Sequence, residues 1–265
     1  MNKFVVVILP NEAKANEAAD VLHGLHRDGS LTLYGLAIAH KADEGDVTVV
    51  ERQGEGLPGA GVGALAGALV GLIGGPVTAL LGAAGGAWIG SWRDVEHLGI
   101  SAEFVEEVSN ALAPGATALV ADVAEDRVAF VDEQMARLGG VVLREWQSEL
   151  PEMKLATEAA ARRTEIEHLV AERRDATPKR QAVIDAHIDK AKARLLRTAE
   201  QASARLDEID ASTDARLEAL RRQLDTAGAS ARDAIERRID ETRRWHDRRA
   251  ALLNQTLRIV EEARV

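Results

Sequence analysis

From Gly56 to Trp92 the chain has no ionisable side chain, a run of 37 positions, and this run limits what the rest can fold into. Gly74-Gly75-Pro76 divides it into two arms, Leu57–Ile73 and Val77–Trp92. In the first arm Gly59, Gly63, Gly67, Gly71 and Gly75 recur every fourth residue; in the second, Gly82, Gly86 and Gly90 do the same. Four-residue spacing lines these positions along one side of a helix, where the missing side chains let a second backbone approach closely. Each interior glycine costs a helix roughly 0.5–1 kcal/mol against alanine, so the spacing predicts helices held by tight packing away from water. At 16–17 residues an arm is about 25 Å long, slightly short of a ~30 Å hydrocarbon layer. The segment is therefore read as a glycine-zipper helical hairpin over 56–92 that re-enters or spans a thinned bilayer. Trp88 and Trp92, followed by Arg93, suit an interfacial anchor. The bland alternative is that the hairpin is buried inside a soluble oligomer.

Around this run, residues 1–150 predict an α+β domain. Phe4–Leu9 is an apolar strand ended by Pro10, and it directly follows Met1-Asn2-Lys3, with no signal-peptide pattern. Asn11 caps a helix with Ala15, Ala18, Ala19, Leu22 and Leu25 on one face. Leu31–Ala39 and Val47–Glu51 read as a hairpin joined through Asp43–Asp46. Beyond the uncharged run come a helix from Ser101 to Leu112, a strand at Ala118–Val123, a helix at Glu125–Leu138 and a last strand at Val141–Trp146. The order matches a ferredoxin-like split βαβ domain with one extra α-β unit, interrupted by the hairpin.

Residues 151–265 form a second region, almost without glycine or proline, which predicts a long α-helical coiled-coil tail. Thr177-Pro178 breaks it, and Pro178 suits a first helical turn. An eleven-residue pattern runs through Leu206, Leu217, Gly228, Ile239 and Ala250, the spacing of a nearly straight stripe. The tail is expected to pair helices or bind a protein partner. Arg237-Arg238, Arg243-Arg244 and Arg248-Arg249 around Trp245 raise a lipid-surface helix as a second reading. Sequence alone does not decide whether Ala227–Ser230 turns or continues the helix.

Charge and motifs narrow the chemistry. The net charge of −10 is concentrated in the first region and argues against nucleic-acid partners, as do the acids interleaved with the tail arginines. With no cysteine there is no disulfide, thiolate metal site or cysteine nucleophile. Gly59-Ala60-Gly61-Val62-Gly63-Ala64 satisfies a dinucleotide fingerprint formally, but its glycines belong to the longer repeat and no acidic-ended second parallel strand follows. His23 and His26 share a helical face and read as surface residues near a turn; Glu106/Glu107 read as solvent-facing. No catalytic, metal or cofactor residue is assigned, and the expectation is a non-enzyme without cofactors.

Several motifs occur in one order: Leu57-Pro58-Gly59 through Gly75-Pro76-Val77, then Leu81–Gly86, Ile89-Gly90, Leu98-Gly99-Ile100, Phe104–Val108 and Leu112–Leu119. In these the chain, over about 1–150, resembles the DUF1269 family of bacterial proteins. Gly115-Ala116-Thr117-Ala118-Leu119 departs slightly from the family's usual Gly-Thr-Ser-Ala-Leu. The resemblance implies a membrane protein of unknown function, sometimes linked to stress response, and carries over no catalytic residues. Together these readings predict a self-associating structural or stress-related scaffold on the cytoplasmic face of the inner membrane. The alternatives are a pore or channel of oligomerised hairpins, or a soluble cytoplasmic homo-oligomer that binds partners through its tail.

Overall fold

The computed structural model describes residues 2–43, 47–50 and 99–263. Among them the chain divides into two compact units, Met1–Ser148 with Asp214–Thr242, and Glu149–Thr213 with Arg243–Val265. The proposed hairpin over 56–92, with its eight zipper glycines and the Trp88, Trp92 and Arg93 anchor, lies outside the described residues. So does most of the loop over 43–46. Among the described residues, no helix is long and apolar enough to cross a membrane.

The first unit is a mixed α+β structure. Its elements are β1 (Asn2–Leu9), α1 (Glu12–Arg27), β2 (Leu31–Lys41), β3 (Val47–Val50), α2 (Ala102–Ala111), β4 (Thr117–Glu125), α3 (Val128–Arg137) and β5 (Val141–Trp146). They form a five-stranded sheet in the order β3-β2-β4-β1-β5, and every neighbouring pair is antiparallel. Both β1 and β2 run against β4, so they are parallel to each other with β4 between them.

Local chemistry places these boundaries. Asn11 Oδ1 accepts the Lys14 N–H and Ser101 Oγ accepts the Phe104 N–H, so both predicted caps are made. Strand alternation sends Val5, Val7, Leu119, Ala121 and Val123 to one face, where Ala15, Ala18 and Leu22 of α1 and Met135 of α3 cover them. The opposite face presents Phe4, Val6, Ala118 and Val120 to Phe104, Val105 and Val108 of α2. All nine residues of β4 are buried, as expected of a strand covered on both faces. The register of β2 against β4 shifts between Leu33 and Gly35, a bulge at Tyr34.

Three further helices follow: α4 (Leu150–Arg174), α5 (Pro178–Thr226) and α6 (Ala229–Glu262). The helix break at Pro178 falls where the sequence predicts it, and Ala227-Gly228 is a turn. In the second unit α4, α5 and α6 share two apolar clusters. One joins Ala159 and Ile166 to Ala191, Leu195 and Val260; the other joins Ala202 and Ile209 to Leu253. Burial along α5 falls on Ile184, Ile188, Ala191, Leu195, Thr198 and Ala202. Those steps alternate four and three, a 3.5-residue repeat; they precede the expected eleven-residue stripe, of which Leu217 and Ile239 are buried. Thr198 and Thr256 occupy such positions by donating to the carbonyls of Arg194 and Leu252 in their own helices.

Candidate functional site

The densest polar arrangement of the first unit lies where the turn between α5 and α6 meets the sheet. Leu217, Leu220, Ala231, Ile235 and Ile239 pack there on Tyr34 and Ala124. Three long polar side chains of this helical tip, Arg216, Gln223 and Arg238, are buried beside that patch.

Arg216 meets Asp122 in the middle of β4. Its Nη2 donates to Asp122 Oδ2 at 2.5 Å and its Nη1 to Oδ1 at 3.3 Å. Gln147 Nε2 also donates to Asp122 Oδ1, at 3.2 Å. The guanidinium lies 4.6 Å from the centre of the Tyr34 ring, a cation–π stack that the bulge at Tyr34 aims. Burial pushes the Asp122 carboxyl above its ordinary range, with the Arg216 charge and hydrogen bonds pulling the other way. Burial likewise pushes the Tyr34 phenol up to about 12.

Gln223 and Arg238 serve the end of α1. Gln223 Nε2 donates to the carbonyls of His26 (2.6 Å) and Leu31 (2.8 Å), while Thr32 Oγ1 donates to Gln223 Oε1 at 2.6 Å. Arg238 donates to the carbonyls of Gly29 (3.0 Å) and Ser30 (2.8 Å), and to Asp126 Oδ2 at 3.0 Å. The His26 carbonyl also accepts the Gly29 N–H, while those of Gly29, Ser30 and Leu31 lie beyond the end of α1, so an amide and a guanidinium satisfy backbone acceptors of the α1–β2 turn. Gly29 has φ +81°, and any Cβ there would collide with Ala231. Glycine is required at that point twice, by conformation and by close approach.

Two other ionic clusters involve buried carboxylates, one in each unit. On the first unit's far sheet face Glu125 Oε1 accepts from Lys3 Nζ (3.2 Å) and Arg144 Nε (2.7 Å), and Arg144 also pairs with Asp132 at 2.6 Å. Lys3 stacks on Trp146 at 4.2 Å. In the second unit the buried Glu152 Oε1 accepts from Arg205 Nε (3.0 Å) and Arg249 Nη2 (2.5 Å). Arg249 lies 4.2 Å from the Trp245 ring centre. Burial acts to raise the Glu152 carboxyl, but the two guanidinium groups outweigh it and hold the group below its ordinary range.

These placements reassign several residues singled out in the sequence. His26 is not turned to solvent: its Nδ1 accepts the Leu33 N–H at 3.2 Å, which requires the neutral ring, and burial keeps its pKa low. Glu106 and Glu107 are solvent-facing, as expected. Of the arginines considered for a lipid surface, Arg238 and Arg249 are buried in ion pairs. Asp122, Arg216, Gln223 and Glu152 escape a hydropathy-based reading. The signal for Asp122 is a lone acid inside the otherwise apolar Ala118–Ala124. Among the described residues no group of acidic and histidine side chains is arranged to hold a metal ion.

The match to known proteins starts within the uncharged run and ends early in α4. Residues 60–160 match the DUF1269 family model. The family is described as a protein of unknown function. The DUF1269 region takes in α2, β4, α3 and β5, and with them Asp122, Glu125, Arg144 and Glu152. It is narrower at the start than the resemblance over 1–150, because β1, α1, β2 and β3 precede it, and it extends ten residues further at its end. No curated protein and no solved structure matches the chain.

Proposed function

We propose that this chain is a non-enzymatic, self-associating scaffold attached to the cytoplasmic face of the inner membrane, with the glycine-zipper hairpin over 56–92 embedded in lipid. The observation that carries this reading is the 37-residue run without an ionisable side chain, in which two series of glycines, from Gly59 and from Gly82, recur every fourth residue. The DUF1269 match, which begins inside that run, supports treating it as part of a family feature rather than a local insertion. A stress-related role is part of the same proposal and rests on the family resemblance.

With β3 and α2 set aside, β1, α1, β2, β4, α3 and β5 follow a ferredoxin-like order, with β2-β4-β1-β5 across the sheet. In sequence the uncharged run falls between β3, the last strand at that side of the sheet, and α2. The 3.5-residue burial repeat of α5 favours a coiled-coil description of the helical region. Its buried ion pairs tie structural elements together, and the scaffold reading assigns them that role.

Flotation tests the proposal. The full chain and a variant lacking residues 56–92 are mixed with phosphatidylethanolamine–phosphatidylglycerol vesicles and centrifuged through a density gradient. The intact chain is expected to float and the deletion variant to stay at the bottom. An intact chain that stays at the bottom as a folded, soluble oligomer overturns the membrane assignment.

A further inference from the structure

We propose that strand β5 pairs with β5 of a second copy of this chain, joining two sheets edge to edge; this rests on the self-association reading above. Among the described residues β5 pairs only with β1, which leaves its outer backbone groups without a sheet partner. The exposed large apolar side chains described in the first unit are Val128, Phe130, Val141 and Trp146. All four lie on β5 or on α3, which packs beside it and whose Val128 carbonyl accepts from Arg144. Val141 is 58% exposed and Trp146 51%, values at which apolar side chains on an edge strand invite pairing.

Three observations favour a second copy as the occupant. Charge comes first: residues 1–150 carry −12, so two copies repel across most of their acidic surface. Strand β5 holds one Arg and one Glu, and the cluster of Lys3, Arg144, Glu125 and Asp132 at its inner side is neutral. Second, the buried stripes of α4, α5 and α6 are already covered within the chain, and the large apolar side chains that α4 and α5 still expose, Leu150, Met153, Val170, Val183 and Leu196, are scattered along them rather than gathered on one edge. Third, the strand is complementary to itself.

That complementarity follows from register. Opposite Ile8 and Lys3 of β1 stand Val141 and Trp146, so Val141, Leu143 and Glu145 share one face and Val142, Arg144 and Trp146 the other. A two-fold axis normal to the sheet keeps these faces aligned and runs the two β5 strands antiparallel. Centred on Arg144, it sets Val142 opposite Trp146 of the second copy, a β-branched–aromatic cross-strand pair. Centring on Leu143 would instead place Trp146 against Gly140, and centring on Glu145 would oppose two like charges. The two Arg144 side chains tolerate the central position because each is already paired with Glu125 and Asp132.

The absence of cysteine makes a clean test available. Single variants Leu143→Cys, Arg144→Cys and Glu145→Cys, with Glu17→Cys on exposed α1 as control, are oxidised mildly as full-length chains. Circular dichroism checks that each is folded. Arg144→Cys is expected to give a covalent dimer at about tenfold the yield of the control, since opposed residues across an antiparallel pair reach disulfide distance. Adding Trp146→Ala should lower that yield several-fold. Linking through Leu143→Cys or Glu145→Cys instead would support the interface and correct its register. Folded variants that link at none of the three positions, or no better than Glu17→Cys, overturn the proposal. The readout does not depend on lipid, so its failure is distinguishable from a failure of flotation.

Discussion

Arg216 Nη2 lies 2.5 Å from Asp122 Oδ2, which ties the tip of the α5–α6 turn to the middle of the strand at the centre of the sheet. The pair is 94 residues apart in sequence and buried at both ends. Breaking it by Arg216→Leu strands a carboxylate beside Tyr34 and should cost about 3–5 kcal/mol. The double variant Arg216→Leu/Asp122→Leu removes both charges and should recover most of that loss. Urea unfolding followed by circular dichroism decides, and a single variant as stable as the parent chain would show that the pair carries no such role.

Gly29 offers a second test at the same junction. Gly29→Ala imposes an unfavourable φ of +81° and a clash with Ala231, so a loss of at least ~1 kcal/mol is expected. Adding Ala231→Gly relieves the clash but not the strain, so thermal melting should show only partial recovery.

Glu152 sets a pH dependence with a definite sign. Its folded pKa lies below the ordinary value of 4.5, so its contribution to stability is present above that value. That contribution is lost as the pH falls from 4.5 through the depressed folded value. Glu152→Gln should be less stable than the parent chain at pH 7, and the gap should narrow as the pH drops below 4.5. A gap that stays constant down to acid pH would contradict the assignment.

Within the uncharged run, Gly67→Leu and Gly86→Leu should each disrupt assembly, because a bulky side chain separates backbones that the zipper reading brings together. Sedimentation of the two variants in detergent reads this directly. Normal assembly of both would remove close glycine packing as the organising contact.

Strand and helix positions were legible where a single local rule applies. Pro10, Asn11, Ser101, Gly139-Gly140 and Pro178 mark element ends, and the structure changes those boundaries by only a few residues. The helical region was less legible because its buried positions are not all apolar. Arg216, Gln223, Arg238, Thr242, Arg249 and Thr256 all sit on the covered side, where hydropathy assigns them to solvent. The partners of these side chains, such as the carbonyls of His26 and Ser30, are set by tertiary structure and carry no sequence signal.

The first unit is assembled from two stretches of chain, one ending at Ser148 and the other running from Asp214 to Thr242. During synthesis the sheet emerges from the ribosome well before the residues that neutralise Asp122 and close the α1–β2 turn. A nascent chain halted near residue 150 would hold in its central strand an acid without its arginine, and would lack the donor to the Gly29 and Ser30 carbonyls in the α1–β2 turn. Completion of this unit therefore waits on translation through Thr242, and a product truncated before Asp214 should be marked for degradation by the lack of these distal helices.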